Sequence, residues 1–312
     1  MERASMRWVK GGWDRCWRSG LLAGLFLLGG LGAAAAREQT LPAGVAGETG
    51  LLWRIEQPGG GKASYLFGTI HSEDPRVTTL PATVQESLAH AQQFVMEVEP
   101  DPTSMLAASQ SMLLPEGQSL RSLLGQDLFR QVMRAMLAYG QPEEAVDHMK
   151  PWAAMVTLSM PKPRTGLVLD VLLYMTALQS GKQVAGLETA QEQLDIFDKL
   201  PQDEQITLLT EALQQLTQLD SMMAKMHEAY LARNLAELSR LSELYGNTGD
   251  TALTRKMNTA LIDQRNLRMA QRMQPMLRQG NAFIAVGALH LPGPQGLLSL
   301  LRQRGYRVTA VY

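Results

Sequence analysis

A short unit, Gly-x-x-His, occurs twice in this sequence, each time at the end of an apolar stretch and before a turn that contains proline. The copies are Gly68-Thr69-Ile70-His71 and Gly287-Ala288-Leu289-His290. Five histidines and 27 glycines in 312 residues lead to about 0.4 such units by chance, so two exceed expectation. Side chains just beyond strand ends line the crevice in which open α/β sheets bind ligands. His71 and His290 are therefore candidates for metal binding or acid–base chemistry.

Two glutamates add the carboxylates that such a site needs. Glu97 lies inside the otherwise apolar strand Phe94–Val98, where an unpaired charge would cost several kcal/mol. Glu188 follows the predicted strand Gln183–Leu187. Two imidazoles with one or two carboxylates at neighbouring strand ends are a ligand set for a divalent ion. A buried, hydrogen-bonded His/Glu network without metal uses the same residues, and their spacing leaves both interpretations open.

Positioning these residues requires a sheet whose strands come from distant parts of the chain. Apolar runs bounded by turn residues predict the following strands: Leu51–Gln57, Ala63–Ile70, Phe94–Val98, Gln183–Leu187, Asn281–Val286 and Tyr306–Val311. Leucines and methionines spaced three and four apart predict mainly helical stretches over about 102–180 and 195–279. The fold class is therefore mixed α/β (α+β), with a central sheet built from N- and C-terminal strands and a large, mainly helical insertion.

The composition is that of an ordinary globular protein. Hydrophobic residues make up 45% and charged residues 19%, with a net charge of −1. These values exclude a disordered chain, a collagen-like repeat and a strongly basic nucleic-acid binder. The single cysteine, Cys16, excludes a small domain held by disulfides. We expect no nucleic-acid partner.

The first 36 residues have the layout of a secretory signal peptide. Five basic residues precede the uncharged, mostly apolar segment Leu21–Gly32, and four alanines end at Ala36. We predict cleavage after Ala36, a linker over 37–50 and a single domain over 51–312, exported to the periplasm or secreted. The mature chain would carry 24 basic and 28 acidic residues, a net charge of −4, and no thiol. The alternative is an uncleaved segment that anchors the protein in the membrane; we expect no other membrane contact.

Several motifs together resemble the TraB/GumN family, which also includes the PrgY pheromone-shutdown proteins and the animal Tiki proteases. The similarity covers about 51–312. The following segments carry it: Tyr65-Leu66-Phe67-Gly68-Thr69-Ile70-His71, Val95-Met96-Glu97-Val98-Glu99, Gly186-Leu187-Glu188-Thr189, Arg265-Asn266, Gly287-Ala288-Leu289-His290 and Gly305-Tyr306. Each is short, but their number and order make the resemblance specific. Glu99 stands where many relatives have aspartate.

The resemblance implies a metal-dependent hydrolase, because Tiki proteins are metal-dependent proteases that use both Gly-x-x-His units and a glutamate. On this basis His71, Glu97 and His290 become candidate ligands of a divalent ion (Mn, Co, Fe or Zn). Glu97, Glu188, Arg265 and Asn266 become candidate catalytic residues. Either Glu97 or Glu188 would be the ligand and the other the general base, while Arg265 would stabilise an oxyanion or simply form an ion pair.

Three functions remain possible at this point. The first is an exported metal-dependent hydrolase, perhaps a peptidase, acting on a peptide or small-molecule substrate. The second is an exported binding protein that holds a peptide or other ligand without cleaving it. The third is a haem or metal scavenger that uses the same histidines. The sequence determines neither the substrate nor the oligomeric state.

Overall fold

The computed structural model describes residues 49–246 and 250–312. The predicted signal peptide lies outside these residues, as does nearly all of the predicted linker. Cleavage after Ala36 and a single domain over 51–312 therefore stay predictions. Within the described residues, no helix is both long and apolar enough to cross a membrane.

The described chain divides into two compact units. One comprises Pro100–Gly166 and Ala190–Asp220, and the other comprises 49–99, Leu167–Thr189 and Ser221–Tyr312. We call them the helical unit and the sheet unit.

The sheet unit contains one six-stranded mixed sheet, which confirms the mixed α/β class. Its strands are β1 Leu52–Glu56, β2 Ser64–Thr69, β3 Gln93–Val98, β4 Gln183–Glu188, β5 Ala282–Gly287 and β6 Arg307–Ala310, in the order β4-β3-β5-β2-β1-β6. The four adjacent strands β4, β3, β5 and β2 run parallel to one another, whereas β1 pairs antiparallel with β2 and with β6. All six predicted strands are present, and β1 and β2 form a hairpin.

Helices connect the strands of the sheet unit. In chain order they are α1 Pro75–Thr78, α2 Ala82–His90, α7 Leu169–Gln179, α10 Leu219–Leu231 (which begins in the helical unit), α11 Leu235–Gly246, α12 Thr251–Asn258, α13 Gln264–Arg272, α14 Gln274–Gln279 and α15 Leu297–Gln303. A π-helical segment, Thr259–Asp263, separates α12 from α13, and a 3₁₀ turn, Ala288–His290, follows β5. Phe67, Phe94 and Phe283 form the aromatic centre of the core, with ring centroids 5.8 and 6.3 Å apart across β2, β5 and β3.

The helical unit has its own core. Its helices are α3 Pro102–Ser111, α4 Leu120–Leu137, α5 Glu143–Asp147, α6 Pro151–Leu158, α8 Ala190–Asp198 and α9 Gln202–Gln215. Every residue of α6 is buried, and this helix packs on α9. Trp152 stacks on Phe197 with ring centroids 6.1 Å apart, and its indole N–H donates to Asp198 at 2.8 Å. The predicted helical stretches are thus present, and β4 lies between them.

Candidate functional site

The parallel strands bring the predicted site residues to one edge of the sheet. Glu188 is the last residue of β4, Glu97 the penultimate residue of β3, and Gly287 the last residue of β5. His71 follows β2 by two residues, and His290 ends the 3₁₀ turn after β5. Because parallel strands end on the same side, the strand order places Glu188, Glu97, His290 and His71 in sequence along the carboxyl edge.

Asn266 fixes the ring of His290. The amide oxygen of Asn266 lies 2.7 Å from His290 Nδ1, while its amide N–H donates to the Gln295 carbonyl at 2.9 Å. That second bond sets the orientation of the amide, so His290 Nδ1 must donate. Burial and the charge of Arg265 lower the pKa of His290 to about 4, against the opposing effect of the glutamates. His290 is therefore neutral at pH 7, with hydrogen on Nδ1 and a lone pair on Nε2.

Glu97 is held on both oxygens. Its Oε1 accepts the backbone N–H of Gly287 at 2.7 Å, and its Oε2 accepts from Arg265 Nη2 at 2.5 Å. Burial alone would raise the pKa of this carboxyl. The positive charge of Arg265, the charge that His290 gains when it is protonated at low pH, and these hydrogen bonds bring the pKa down to about 2. Glu97 is thus an ionised carboxylate inside an otherwise buried strand.

Two acceptor atoms consequently face each other across β3 and β5. His290 Nε2 lies 3.6 Å from Glu97 Oε1, and both atoms carry lone pairs by the arguments above. A proton or a cation between them removes this repulsion. Nitrogen and oxygen ligands about 2.1 Å from one tetrahedral ion lie about 3.4 Å apart, close to the observed separation. The pair fits a divalent cation.

Asp170, at the start of α7, holds the other histidine. Its Oδ2 lies 3.2 Å from His71 Nδ1, and its Oδ1 accepts the hydroxyl of Thr69 at 2.6 Å. A carboxylate only accepts, so His71 also carries its hydrogen on Nδ1 and presents Nε2. Both imidazoles thus bond through Nδ1 to an oxygen acceptor, as metal-ligating histidines usually do.

An ion-pair network occupies the β4 side of the site. Arg265 bridges the two glutamates, donating from Nε to Glu188 Oε2 at 2.9 Å and from Nη2 to Glu97. Arg268 donates from Nε to Glu188 Oε1 at 3.0 Å. The side chain of Glu188 is fully buried, while Arg268 remains 31% exposed. Arg265 is therefore committed to carboxylates, so an ion-pair role describes its contacts better than a free oxyanion donor.

The π-helical segment before α13 orients the side chains of Arg265 and Asn266 towards the site. The backbone N–H of Gln264 donates to the Thr259 carbonyl, five residues earlier. Arg265 and Asn266 follow at once and are both buried. Two adjacent side chains of one helix therefore reach Glu97 on β3 and His290 beyond β5. Single π turns are frequent at functional sites because they shift the register of one helix face.

The three predicted metal ligands differ in how closely they are assembled. Glu97 and His290 form the acceptor pair described above, and His71 lies beyond the neighbouring strand. Among residues 49–246 and 250–312, no group of three or more His, Cys, Asp or Glu side chains is arranged to hold a metal. The three predicted ligands therefore have the chemistry and, for the histidines, the tautomer that a divalent ion requires, and the spacing of Glu97 and His290 suits one as well. Which of them bind metal or catalyse stays a prediction.

The structure also identifies partners that the sequence analysis missed. Asp170 and Thr69 contact each other beside His71, and Arg268 contacts Glu188. Thr69 lies inside the Gly-x-x-His unit, so its position was a usable signal. Asp170 and Arg268 lack such a signal, because acids in the first helical turn and arginines on helices are ordinary. Two histidines outside the Gly-x-x-His units, His90 and His148, donate through Nδ1 to backbone carbonyls four residues earlier in the chain.

Comparison with known proteins agrees with the motif resemblance. A model of the TraB/PrgY/gumN family matches residues 51–310. Metalloprotease TIKI2 of Danio rerio is 25% identical over 320 residues, covering 82% of this chain and 60% of the relative. Metalloprotease TIKI1 of Homo sapiens is 24% identical over 314 residues, covering 82% and 61%. The uncharacterized protein YbaP of Escherichia coli is 23% identical over 248 residues, covering 78% and 89%.

The chain thus spans about 60% of the length of the TIKI relatives. No solved structure matches it significantly.

Proposed function

The chain belongs to the TraB/PrgY/gumN family, and we propose that it is a metal-dependent hydrolase that cleaves peptides. The observation that carries this proposal is the acceptor pair of His290 Nε2 and Glu97 Oε1, 3.6 Å apart. Relatives named metalloproteases imply a metal in the family. Their name also suggests peptides as the substrate class.

The two histidines and Glu97 would hold the ion. His290 contributes Nε2 because Asn266 occupies its Nδ1, and His71 contributes Nε2 because Asp170 occupies its Nδ1. A bound divalent ion supplies Lewis acidity and lowers the pKa of a coordinated water. The low pKa of Glu97, about 2, keeps a negative charge available for the ion at neutral pH.

The remaining charged residues hold this arrangement in place. The positive charge of Arg265 pairs with both Glu97 and Glu188, which lets these two carboxylates remain buried side by side. Glu188 accepts hydrogen bonds from both Arg265 and Arg268, and it lies one strand farther from the histidines than Glu97 does. The sequence left open which of Glu97 and Glu188 is the ligand and which is the general base. These contacts favour Glu97 as the ligand, and they favour a role for Glu188 in anchoring the arginines over the role of general base.

The test measures metal and cleavage on the same preparations of the full chain. Elemental analysis and a mass-spectrometric screen of a peptide mixture are performed on wild type, His71→Ala and His290→Ala. His90→Ala is the matched control, because His90 is exposed and bonds only to its own helix. We expect near-stoichiometric Mn, Co, Fe or Zn and new peptide termini in wild type and control, with both lost in the two variants.

Intact peptides from metal-loaded wild type would refute the hydrolase and favour the binding-protein alternative. Wild type that neither contains nor takes up a divalent ion would refute the metal. Absorption after addition of haem checks the scavenger alternative.

Export is a further part of the proposal and rests on the sequence of residues 1–36. N-terminal sequencing of the protein recovered from an exporting host measures it directly. A mature chain that begins at Arg37 supports cleavage, whereas a chain that retains Leu21–Gly32 supports the membrane-anchored alternative.

A further inference from the structure

The loop between β2 and α1 is tied down mainly by the first turn of α7. The N–H of Leu169 donates to the Ser72 carbonyl at 3.1 Å. Asp170 receives the Thr69 hydroxyl on one oxygen and lies beside His71 Nδ1 with the other. Three consecutive polar contacts thus join the start of one helix to the Gly-x-x-His loop, and Tyr230 adds a fourth by donating to the Gly68 carbonyl at 2.9 Å.

The two histidines differ in the chemical group that faces their Nδ1 atom. His290 faces the neutral amide oxygen of Asn266, whereas His71 faces a carboxylate. Asp170 is 14% exposed at its side chain, and His71 only 3%. A carboxylate at this distance, shielded from solvent, strongly prefers the N–H of the ring over its lone pair.

We infer that Asp170 is a positioning residue that holds His71 in the Nδ1–H tautomer, so that His71 Nε2 presents a lone pair at the carboxyl edge of the sheet. The role of that lone pair rests on the proposed function, but the tautomer itself does not. Thr69 contributes by fixing Asp170, since its hydroxyl occupies the carboxylate oxygen that does not face the ring.

Replacing Asp170 with asparagine reverses the preference without changing the size of the side chain. The Thr69 hydroxyl keeps the amide oxygen at the position of Oδ1, which leaves the NH₂ group opposite His71 Nδ1. An amide N–H donates, so Nδ1 must accept and the hydrogen moves to Nε2. The lone pair then lies on the wrong nitrogen for a ligand or proton acceptor.

The experiment records ¹⁵N spectra of the imidazole nitrogens in metal-free full-length protein at a pH where His71 is neutral. Wild type should show a protonated, pyrrole-type Nδ1 and a pyridine-type Nε2 for His71. Asp170→Asn should show these two types exchanged for His71 and unchanged for His290. Thr69→Val is the matched control, because it removes the hydroxyl but leaves the Asp170 contact with the ring, so the wild-type tautomer should persist.

Zn²⁺ binding supplies the second readout, with the metal ion alone as the probe. The loss of an outer partner of a ligating histidine typically weakens metal binding about 10- to 100-fold, and we expect a loss of this size in Asp170→Asn. An unchanged His71 tautomer in Asp170→Asn would overturn the inference. If that variant does not fold, a wild-type spectrum with hydrogen on Nε2 overturns it equally.

The two proposals fail separately. A protein that shows the expected tautomers but binds no metal and cleaves no peptide retains the role of Asp170 and loses the hydrolase. A protein that cleaves peptides with His71 in the other tautomer retains the hydrolase and loses the role of Asp170.

Discussion

Replacing Arg265 with methionine should change how the stability of the protein depends on pH. In wild type, burial and the charge of Arg265 hold the pKa of His290 near 4, below its ordinary value of 6.5. The unfolded chain therefore binds one more proton than the folded chain between these values, so stability is full above pH 6.5 and falls as the pH drops towards 4. The difference between a pKa of 6.5 in the unfolded chain and about 4 in the folded chain corresponds to about 3 kcal/mol of stability.

The low pKa of Glu97 also makes the protein less stable as the pH falls, but in a lower pH range. Its pKa of about 2 in the folded protein lies below the ordinary value of 4.5. Its contribution to stability is therefore present above pH 4.5 and is lost as the pH falls towards 2. The guanidinium of Arg265 is the largest cause that lowers the pKa of Glu97, and after burial it is the next cause that lowers the pKa of His290. Without it, Glu97 and His290 retain one proton between them in the folded state, whichever atom carries it.

The expected change in the free energy of unfolding follows from the pH ranges over which His290 and Glu97 lose their stabilising effect. Removing one partner of a buried ion pair costs about 3–5 kcal/mol at neutral pH, because Glu97 and Glu188 lose the cation that they share. Between pH 6.5 and pH 5 wild type loses up to about 2 kcal/mol through His290, and Arg265→Met should lose almost none. The stability difference should therefore narrow by about 2 kcal/mol over this range.

Urea unfolding measures the difference in the free energy of unfolding between wild type and Arg265→Met, once at pH 5 and once at pH 7. Arg307→Met is the matched control, because Arg307 is 74% exposed and pairs with Glu56 on the sheet surface. We expect the control to lie within about 0.5 kcal/mol of wild type at both pH values. A difference for Arg265→Met that is constant with pH, or that widens towards pH 5, would refute the proposed coupling.

Two further predictions concern stability away from the site. Gly280→Ala should lower the free energy of unfolding by more than about 1 kcal/mol, because Gly280 has φ of 73° and an added methyl would collide with the Lys62 carbonyl; urea midpoints check this, and a neutral effect would contradict it. Trp152→Phe should cost about 1–3 kcal/mol by leaving Asp198 without the buried indole donor. Thermal unfolding measures that loss, and an unchanged melting temperature would contradict it.

The elements that carry the site could be predicted from local sequence. Apolar runs bounded by turn residues identified β2 and β5, and thus both Gly-x-x-His units. Bounds were less certain. Glu188, predicted to follow its strand, is the last residue of β4.

Partners across long sequence separations could not be predicted in the same way. Asp170 contacts His71 from 99 residues away, and Arg268 contacts Glu188 from 80 residues away. An acid in the first turn of α7 has an ordinary explanation in the helix dipole, so nothing local marks Asp170. Only the docking of α7 against the β2 loop gives it a particular role.

The π turn at Thr259–Asp263 has a consequence for comparing this chain with its relatives. A π turn accommodates one residue more than the α-helix around it, and one residue turns a helix face by about 100°. A relative with a continuous α-helix here must therefore be one residue shorter between the positions of Met257 and Arg265 to keep its arginine above the carboxylates. An ungapped alignment to such a relative would pair Arg265 with the wrong residue.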